Sequence, residues 1–270
     1  MEIFGYAAAI LMGLALGLIG GGGSILTVPI LVYLFAIEPV LATAYSLFIV
    51  GITSLVGSFS HVRLGNIHWK TALVFGLPSI VSVYLTRLYL VPFIPQEITI
   101  SEDIVLSKPL VLLVFFAVIM VLAAYSMIRK PKAQPLNADV AVQYNFPMIF
   151  LEGLVVGIIT GLVGAGGGFL IIPALVILAR LPMKQAVGTS LIIIAAKSLI
   201  GFVGDLQGMA AVDWYFLLRF SAIAVVGILL GTRLSLVVPN EKLKPAFGWF
   251  VLVMGVYIIS KELWSFIFQS

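Results

Sequence analysis

GLALGLIGGGGSILTVP, residues 13–29, recurs as GIITGLVGAGGGFLIIP at residues 157–173. Aligned without a gap, Gly13 falls on Gly157, Gly17 on Gly161, Gly22 on Gly166, Gly23 on Gly167 and Pro29 on Pro173, and eight of the 17 positions are identical. The repeated unit is a glycine cluster inside an apolar stretch, at corresponding places of two halves. Interrupted hydrophobic segments in that arrangement are the sequence mark of a transporter whose site lies between two repeats at mid-membrane.

The likeness spreads outward. At the same 144-residue offset, Ala42, Ser46, Leu47, Ser54, Leu55 and Gly57 meet Ala186, Ser190, Leu191, Ser198, Leu199 and Gly201. With small gaps, Trp69 meets Trp214, Thr86-Arg87-Leu88 meets Thr232-Arg233-Leu234, and Lys108-Pro109 meets Lys244-Pro245. The chain therefore divides into a first repeat (1–129), a polar linker, KPKAQPLNADVAVQYNF (130–146), and a second repeat (147–270).

Of 270 residues, 62% are hydrophobic and 10% charged, with a mean hydropathy of +1.21. A soluble domain carries about 25% charged residues, and its interior could not hide this much apolar surface, so the solvent is lipid. Helices or closed barrels are then the only options, because bare backbone amides are not left in hydrocarbon. The apolar runs are about 20 residues or longer and do not alternate, which selects an all-α polytopic membrane protein. The pI of 9.3 does not mark a nucleic-acid binder. Net charge is only +4, and the basic residues sit in short loops as topology signals. Without cysteine there are no disulfides, thiolate ligands or thiol nucleophiles. The N-terminus resembles a signal peptide only in being apolar. It carries Glu2 in place of a basic n-region and belongs to the repeat, so it is expected to be retained.

The uncharged stretch Ile3–Ile37 is 35 residues long. As one straight helix it would measure about 50 Å, against a hydrocarbon core of about 30 Å. Gly20–Gly23 divides it, since glycine costs roughly 1 kcal/mol per residue in a helix relative to alanine. Gly164–Gly168 likewise divides Gly153–Ala179. Each element reads as a helical hairpin, either re-entrant or two short crossings. Three longer segments follow in each half: about 41–60, 69–91 and 107–129, then 184–204, 212–237 and 243–267.

Charge orients them. His61, Arg63 and Lys70, then Arg129, Lys130 and Lys132, then Arg180 and Lys184, then Lys242 and Lys244 form the basic edges. The loop at 92–106 holds Glu97, Glu102 and Asp103, and the loop at 205–213 holds Asp205 and Asp213. If each glycine-broken element enters and leaves on one side, every basic loop is cytoplasmic and every acidic loop external. Both termini are then external, the 130–146 linker is cytoplasmic, and the repeats are inverted.

Candidate ligand-binding residues come from the helix breaks. These are Gly20, Gly21, Gly22, Gly23 and Ser24 in the first half, and Gly164, Ala165, Gly166, Gly167 and Gly168 in the second. A second limb beginning at Ser24 or Gly168 points unpaired N–H groups and about half a positive charge toward the glycines, a favourable place for an anion. Gly13/Gly17 and Gly157/Gly161 are assigned to helix packing. Lys197 lies mid-segment, where a charge costs about 2.5–3.5 kcal/mol, with no acidic residue one turn away. Its mate Thr53 and the pair Ser54/Ser198 are hydroxyl donors at similar depth, with helix–helix hydrogen bonding the equal alternative. Arg87 and Arg233, repeat mates near opposite faces, are candidate gates, although snorkelling to headgroups is the preferred reading. Glu152 is placed at the start of the second hairpin, and His61 and His68 in a basic loop. Two histidines, no cysteine and no carboxylate cluster point to no metal and no cofactor, and a dinucleotide or P-loop reading fails for want of Gly-Lys-Ser/Thr and a soluble strand.

These residues resemble the TauE/SafE family of sulfite and organosulfonate permeases. The resemblance rests on the paired G-x-x-x-G-[LI]-x-G-x-G-G elements (Gly13–Gly23, Gly157–Gly167) with Pro29 or Pro173 behind each. It extends to Ala186-Val187-Gly188-Thr189-Ser190-Leu191 with its mate Ala42-Thr43-Ala44-Tyr45-Ser46-Leu47, and to the loop Gly65-Asn66-Ile67-His68-Trp69. It implies export of small sulfur-containing anions such as sulfite, sulfonate or thiosulfate, in a prokaryotic plasma membrane. The expected partners are the anion and membrane lipid, with no nucleic acid. An intramembrane enzyme would need a nucleophile–base pair or metal ligands in the spans, and none is visible; a structural assembly protein has no use for glycine runs at mirrored positions. Because every Asp and Glu is expected at an end or in a loop, no dedicated proton-carrying carboxylate is expected in the spans.

Overall fold

The computed structural model describes residues 2–101, 104–128, 146–164, 166–177, 179, 181–207, 212–235 and 240–269. Eleven helices are described. In the first half they are α1 (Glu2–Ile19), α2 (Thr27–Leu34), α3 (Pro39–Arg63), α4 (Trp69–Leu85), α5 (Val91–Phe93) and α6 (Lys108–Ile128). In the second half they are α7 (Phe146–Val163), α8 (Gly168–Ile177), α9 (Met183–Leu206), α10 (Trp214–Leu234) and α11 (Asn240–Gln269). Among the described residues, six spans are long and apolar enough to cross a membrane: α1, α3, α4 continued through α5, α6, α9 and α10. The protein is an all-α polytopic membrane protein.

Local chemistry sets the boundaries. The long run breaks where the glycines fall: α1 stops at Ile19 and α7 at Val163. Helix α3 starts where the Glu38 carboxylate accepts the Leu41 N–H at 2.9 Å, with Pro39 in the first turn, as N-terminal capping favours. Asp213 does the same for α10 through Phe216 N–H. His68, expected only as a loop charge, caps α4: its ring accepts the Thr71 N–H at 3.3 Å. His61, expected in the same loop, is instead buried in the last turn of α3. The loop expected at 92–106 contains a small hairpin, β1 (Glu97–Ser101) paired antiparallel with β2 (Ile104–Ser107). Ile98-Thr99 and Ile104-Val105 are β-branched, and they favour a strand over a coil.

The first glycine-broken element folds back on itself. Gly23 packs on the backbone of Met12 and Leu16, and Phe35 returns to the ring of Tyr6, 5.3 Å between centroids. The stretch 20–35 therefore descends beside α1 and ends level with its start. A single crossing is excluded for this element.

Contacts between the halves come in exchanged pairs. Gly13 abuts the Ala224 backbone, and its mate Gly157 abuts Ser79, the residue aligned with Ala224. Gly17 meets Ile228 and Thr232, while Gly161 meets Thr86, the mate of Thr232. A Cβ on Gly17 would stand 2.5 Å from the Ile228 carbonyl oxygen, and one on Gly157 would stand 2.6 Å from that of Ser79. These glycines are packing positions that let α1 run beside α10, and α7 beside α4, at backbone contact. Their order shows that each pair runs in the same direction. Between α3 and α9 the order reverses: Leu47 lies against Gly201 and Leu191 against Gly57, so these two aligned helices run in opposite directions.

Candidate functional site

The two glycine tips meet. A Cβ on Gly21 would stand 2.6 Å from the Gly168 backbone, and one on Gly168 would run into Gly21. Only glycine at both positions allows that approach. Around this contact the structure assembles most of the residues singled out from the sequence, on α3, α7 and α9.

The first tip is neutral and closed by packing. Gly20, in the left-handed region at φ +81, lies against the side chain of Val187, and Ser190 Oγ donates to the Gly20 carbonyl at 3.1 Å. Gly22 is buried within a 3-10 turn, Gly22–Leu26, that precedes α2. The second limb thus becomes α-helical at Thr27, not at Ser24, because the run of glycines is more easily wound into the tighter turn than into an α-helix. Ser24 Oγ donates to the Gly21 carbonyl at 2.8 Å, so its hydroxyl is engaged within its own turn.

The second tip is charged. Gly164, Gly166 and Gly167 all adopt positive φ, at +72, +64 and +65, and Ala165 lies outside the described residues. Gly166 faces Val50 and Ser198; Gly167 faces Thr160 and Lys197, with Lys197 Nζ 2.7 Å from where a Cβ would sit. Lys197 is completely buried, and Nζ donates to Thr160 Oγ1 at 3.0 Å. That is one bond for an ammonium with three donors, and no described acidic side chain pairs with it. Ser54 and Ser198 hydroxyls are buried without a partner among the described residues, whereas Thr53 Oγ1 donates back to the Ile49 carbonyl at 2.6 Å.

Arg87 does not snorkel. It sits in a π-helical turn, Thr86–Leu90, between α4 and α5 and is 1% exposed, while Arg233 is exposed on α10. Arg87 Nη1 donates to Thr43 Oγ1 at 2.9 Å and lies 3.4 Å from Asp205 Oδ2. Asp205 lies at an end, as expected, in the last turn of α9, but its side chain is nearly buried beside Arg87, which compensates its charge. Glu152, placed by sequence at the start of the second hairpin, is half-buried within α7, which begins at Phe146.

Three partners escaped the sequence reading: Thr43, Thr160 and Asp205. Two carried a readable signal. Thr160 breaks the repeat with a polar group where the first copy has Leu16, and Asp205 puts an acid where it has His61. Among the described residues no cluster of three or more His, Cys, Asp or Glu side chains is placed to hold a metal.

Residues 6–258 match the family model for the sulfite exporter TauE/SafE. The chain belongs to the TauE/SafE family. A probable membrane transporter protein of Xylella fastidiosa is 28% identical over 258 residues, covering 92% of this chain and 91% of that one. Probable membrane transporter proteins of Methanocaldococcus jannaschii (MJ0441) and Bacillus subtilis (YunE) are each 26% identical, covering 93% and 96% of this chain and 94% and 99% of theirs. No solved structure gives a significant match. As a TauE/SafE member with six apolar spans among its described residues, the chain is an integral membrane protein of a transporter family.

Proposed function

We propose that this chain carries small sulfur-containing oxyanions, such as sulfite or organosulfonates, out of the cell, holding each at mid-membrane between the two glycine tips. One observation carries the reading. Lys197 is a fully buried cation with a single neutral hydrogen-bond partner, set against Gly167 at the meeting point of the tips. A buried charge without a counter-charge is expensive, and an anionic ligand supplies the missing partner. Glycine at 167 lets the Lys197 ammonium lie against the backbone of the tip, and the family's name supports the substrate class.

We further read the halves as inverted repeats, 1–129 and 147–270, in a prokaryotic plasma membrane. The opposed directions of α3 and α9 support the inversion. The basic edges support cytoplasmic loops at 64–68 and 130–146, with both termini external. Single cysteines placed at Gln134 and Gln96 should then label from opposite sides; labelling of both from one side would remove the topology.

Flux in proteoliposomes tests the function. Sulfite, thiosulfate, methanesulfonate and sulfate are loaded in turn, and efflux is followed under a potassium diffusion potential at equal pH. Saturable efflux of at least one sulfur oxyanion that increases with an interior-negative potential is expected, since each charge gains about 2.3 kcal/mol per 100 mV. Absence of flux for all four defeats the reading. Efflux that ignores voltage and needs a pH gradient would make Asp205, as the buried acid, the first group to neutralise.

A further inference from the structure

The guanidinium of Arg87 is only half used. Its Nη1 is occupied by Thr43 and Asp205. Its Nε and Nη2 are buried, and neither has an acceptor among the described residues. In a guanidinium these two groups aim their N–H bonds along one edge, spaced to meet two oxygens of a single oxyanion. Nη2 reaches the second glycine tip: a Cβ on Gly164 would stand 2.6 Å from it. Unpaired donors of a buried charge are costly, so a complete fork aimed at a helix break calls for a purpose.

The other half of the molecule shows that the packing does not require it. Gly20, the mate of Gly164, is covered by Val187, the mate of Thr43. His61 stands at the mate position of Asp205, and Arg233, the mate of Arg87, is exposed. Arg87, Thr43 and Asp205 thus stand together at one tip, and none of the three has its counterpart at the other. They behave as one device, with Thr43 and Asp205 fixing the plane of the guanidinium.

We propose that the Nε/Nη2 edge of Arg87 is an oxyanion subsite at the second tip, separate from Lys197 and reading two oxygens at once. It rests on the reading of the chain as an anion carrier. The two cations bracket residues 164–167, which span at most about 11 Å of extended chain. Lys197 is a point charge that serves any anion, whereas Arg87 selects for an anion with two oxygens on one face. Sulfite and alkylsulfonates have that face, and a halide does not. Arg87 and Lys197 could hold one anion in succession as it passes the tip.

The test is equilibrium binding of sulfite, methanesulfonate and bromide to the purified full-length protein in nanodiscs, at one pH and ionic strength. Wild type is compared with Arg87→Lys, Thr43→Val and Arg233→Gln. Arg87→Lys keeps the charge and loses the fork, so the Kd for sulfite and methanesulfonate should rise roughly tenfold while bromide changes by less than about twofold. Thr43→Val releases Nη1 and should weaken both oxyanions by about threefold. It keeps the test alive if Arg87→Lys does not fold, because valine is already accepted at the mate position, Val187. Arg233→Gln should bind as wild type does. Equal losses for oxyanions and bromide, or no change in either Arg87→Lys or Thr43→Val, overturn the subsite while leaving the carrier intact. Failure of wild type to bind any of the three anions overturns the carrier reading and the subsite with it.

Discussion

The two glycine tips descend from the same sequence and end in different chemistry. At the first, Gly20 is sealed by an aliphatic side chain and a serine hydroxyl. At the second, Gly164 and Gly167 stand against an arginine and a lysine, both buried. Backbone geometry is shared at the break itself, where Gly20 and Gly164 both take positive φ, but Gly166 and Gly167 also do so while their mates Gly22 and Gly23 lie in a 3-10 turn. A handful of side chains around the tips differ as well: Thr43 against Val187, Lys197 against Thr53, Thr160 against Leu16, Asp205 against His61. The repeat supplies a frame that brings two helix breaks together, and the departures from the repeat supply its charge. A site built this way is asymmetric even though its scaffold is duplicated.

That contrast is most exposed at the arginine pair. Arg87→Gln leaves Asp205 nearly buried without its cation, and breaking a buried pair in this way costs about 3–5 kcal/mol. A marked loss of thermal stability in detergent is expected, partly restored in the double variant Arg87→Gln/Asp205→Asn. Arg233→Gln, at an exposed position, should stay within about 0.5 kcal/mol of wild type. Equal effects at the two arginines would mean that the tips are not chemically distinct.

Next comes Lys197→Ala, which should reduce anion affinity or flux by roughly 30-fold or more, the scale expected for truncating a buried charge at an interface. Thr53→Ala removes a hydroxyl already bonded to its own helix and should cost no more than about 1 kcal/mol of stability, with transport retained. Smaller still is Gly167→Ala. The left-handed conformation costs alanine about 1–2 kcal/mol, and the added methyl meets Thr160 and Lys197 Nζ, so transport should fall along with stability. Gly65→Ala carries the same strain at φ +67 with nothing within 4 Å; it should lose stability alone. The smallest contrast lies between Ser190→Ala, which removes the bond to Gly20 and about 1 kcal/mol, and Ser46→Ala, whose hydroxyl has no partner among the described residues and whose loss should be close to neutral.

Much of the frame was legible because apolar length and glycine punctuation are local signals. Breaks after Ile19 and Val163 and the long spans follow from runs of residues that can be counted. The place of Lys197 within the apolar α9 was equally plain, since a cation in an apolar segment stands out. Arg87 was misread because its neighbours in sequence resemble those of Arg233, and a cation near a segment end ordinarily reaches for the interface. Its burial depends on Thr43 and Asp205, which are 44 residues and more than a hundred residues away. The β-hairpin after α5 is hard to read for a different reason: the acidic residues of 92–106 mark a loop, and the β-branched pairs Ile98-Thr99 and Ile104-Val105 are too short to stand out from it.

The central claim is that the anion sits at the second tip, on Lys197. Selenite has the pyramidal oxyanion geometry of sulfite and scatters anomalously, so a structure of the wild-type protein with selenite, phased to locate selenium alone, addresses the claim without depending on a variant's folding. The account predicts one dominant selenium peak within hydrogen-bond distance of Lys197 Nζ, beside Gly167. A dominant peak beside Gly20 and Ser190, or at an exposed basic loop with none at Lys197, would contradict it.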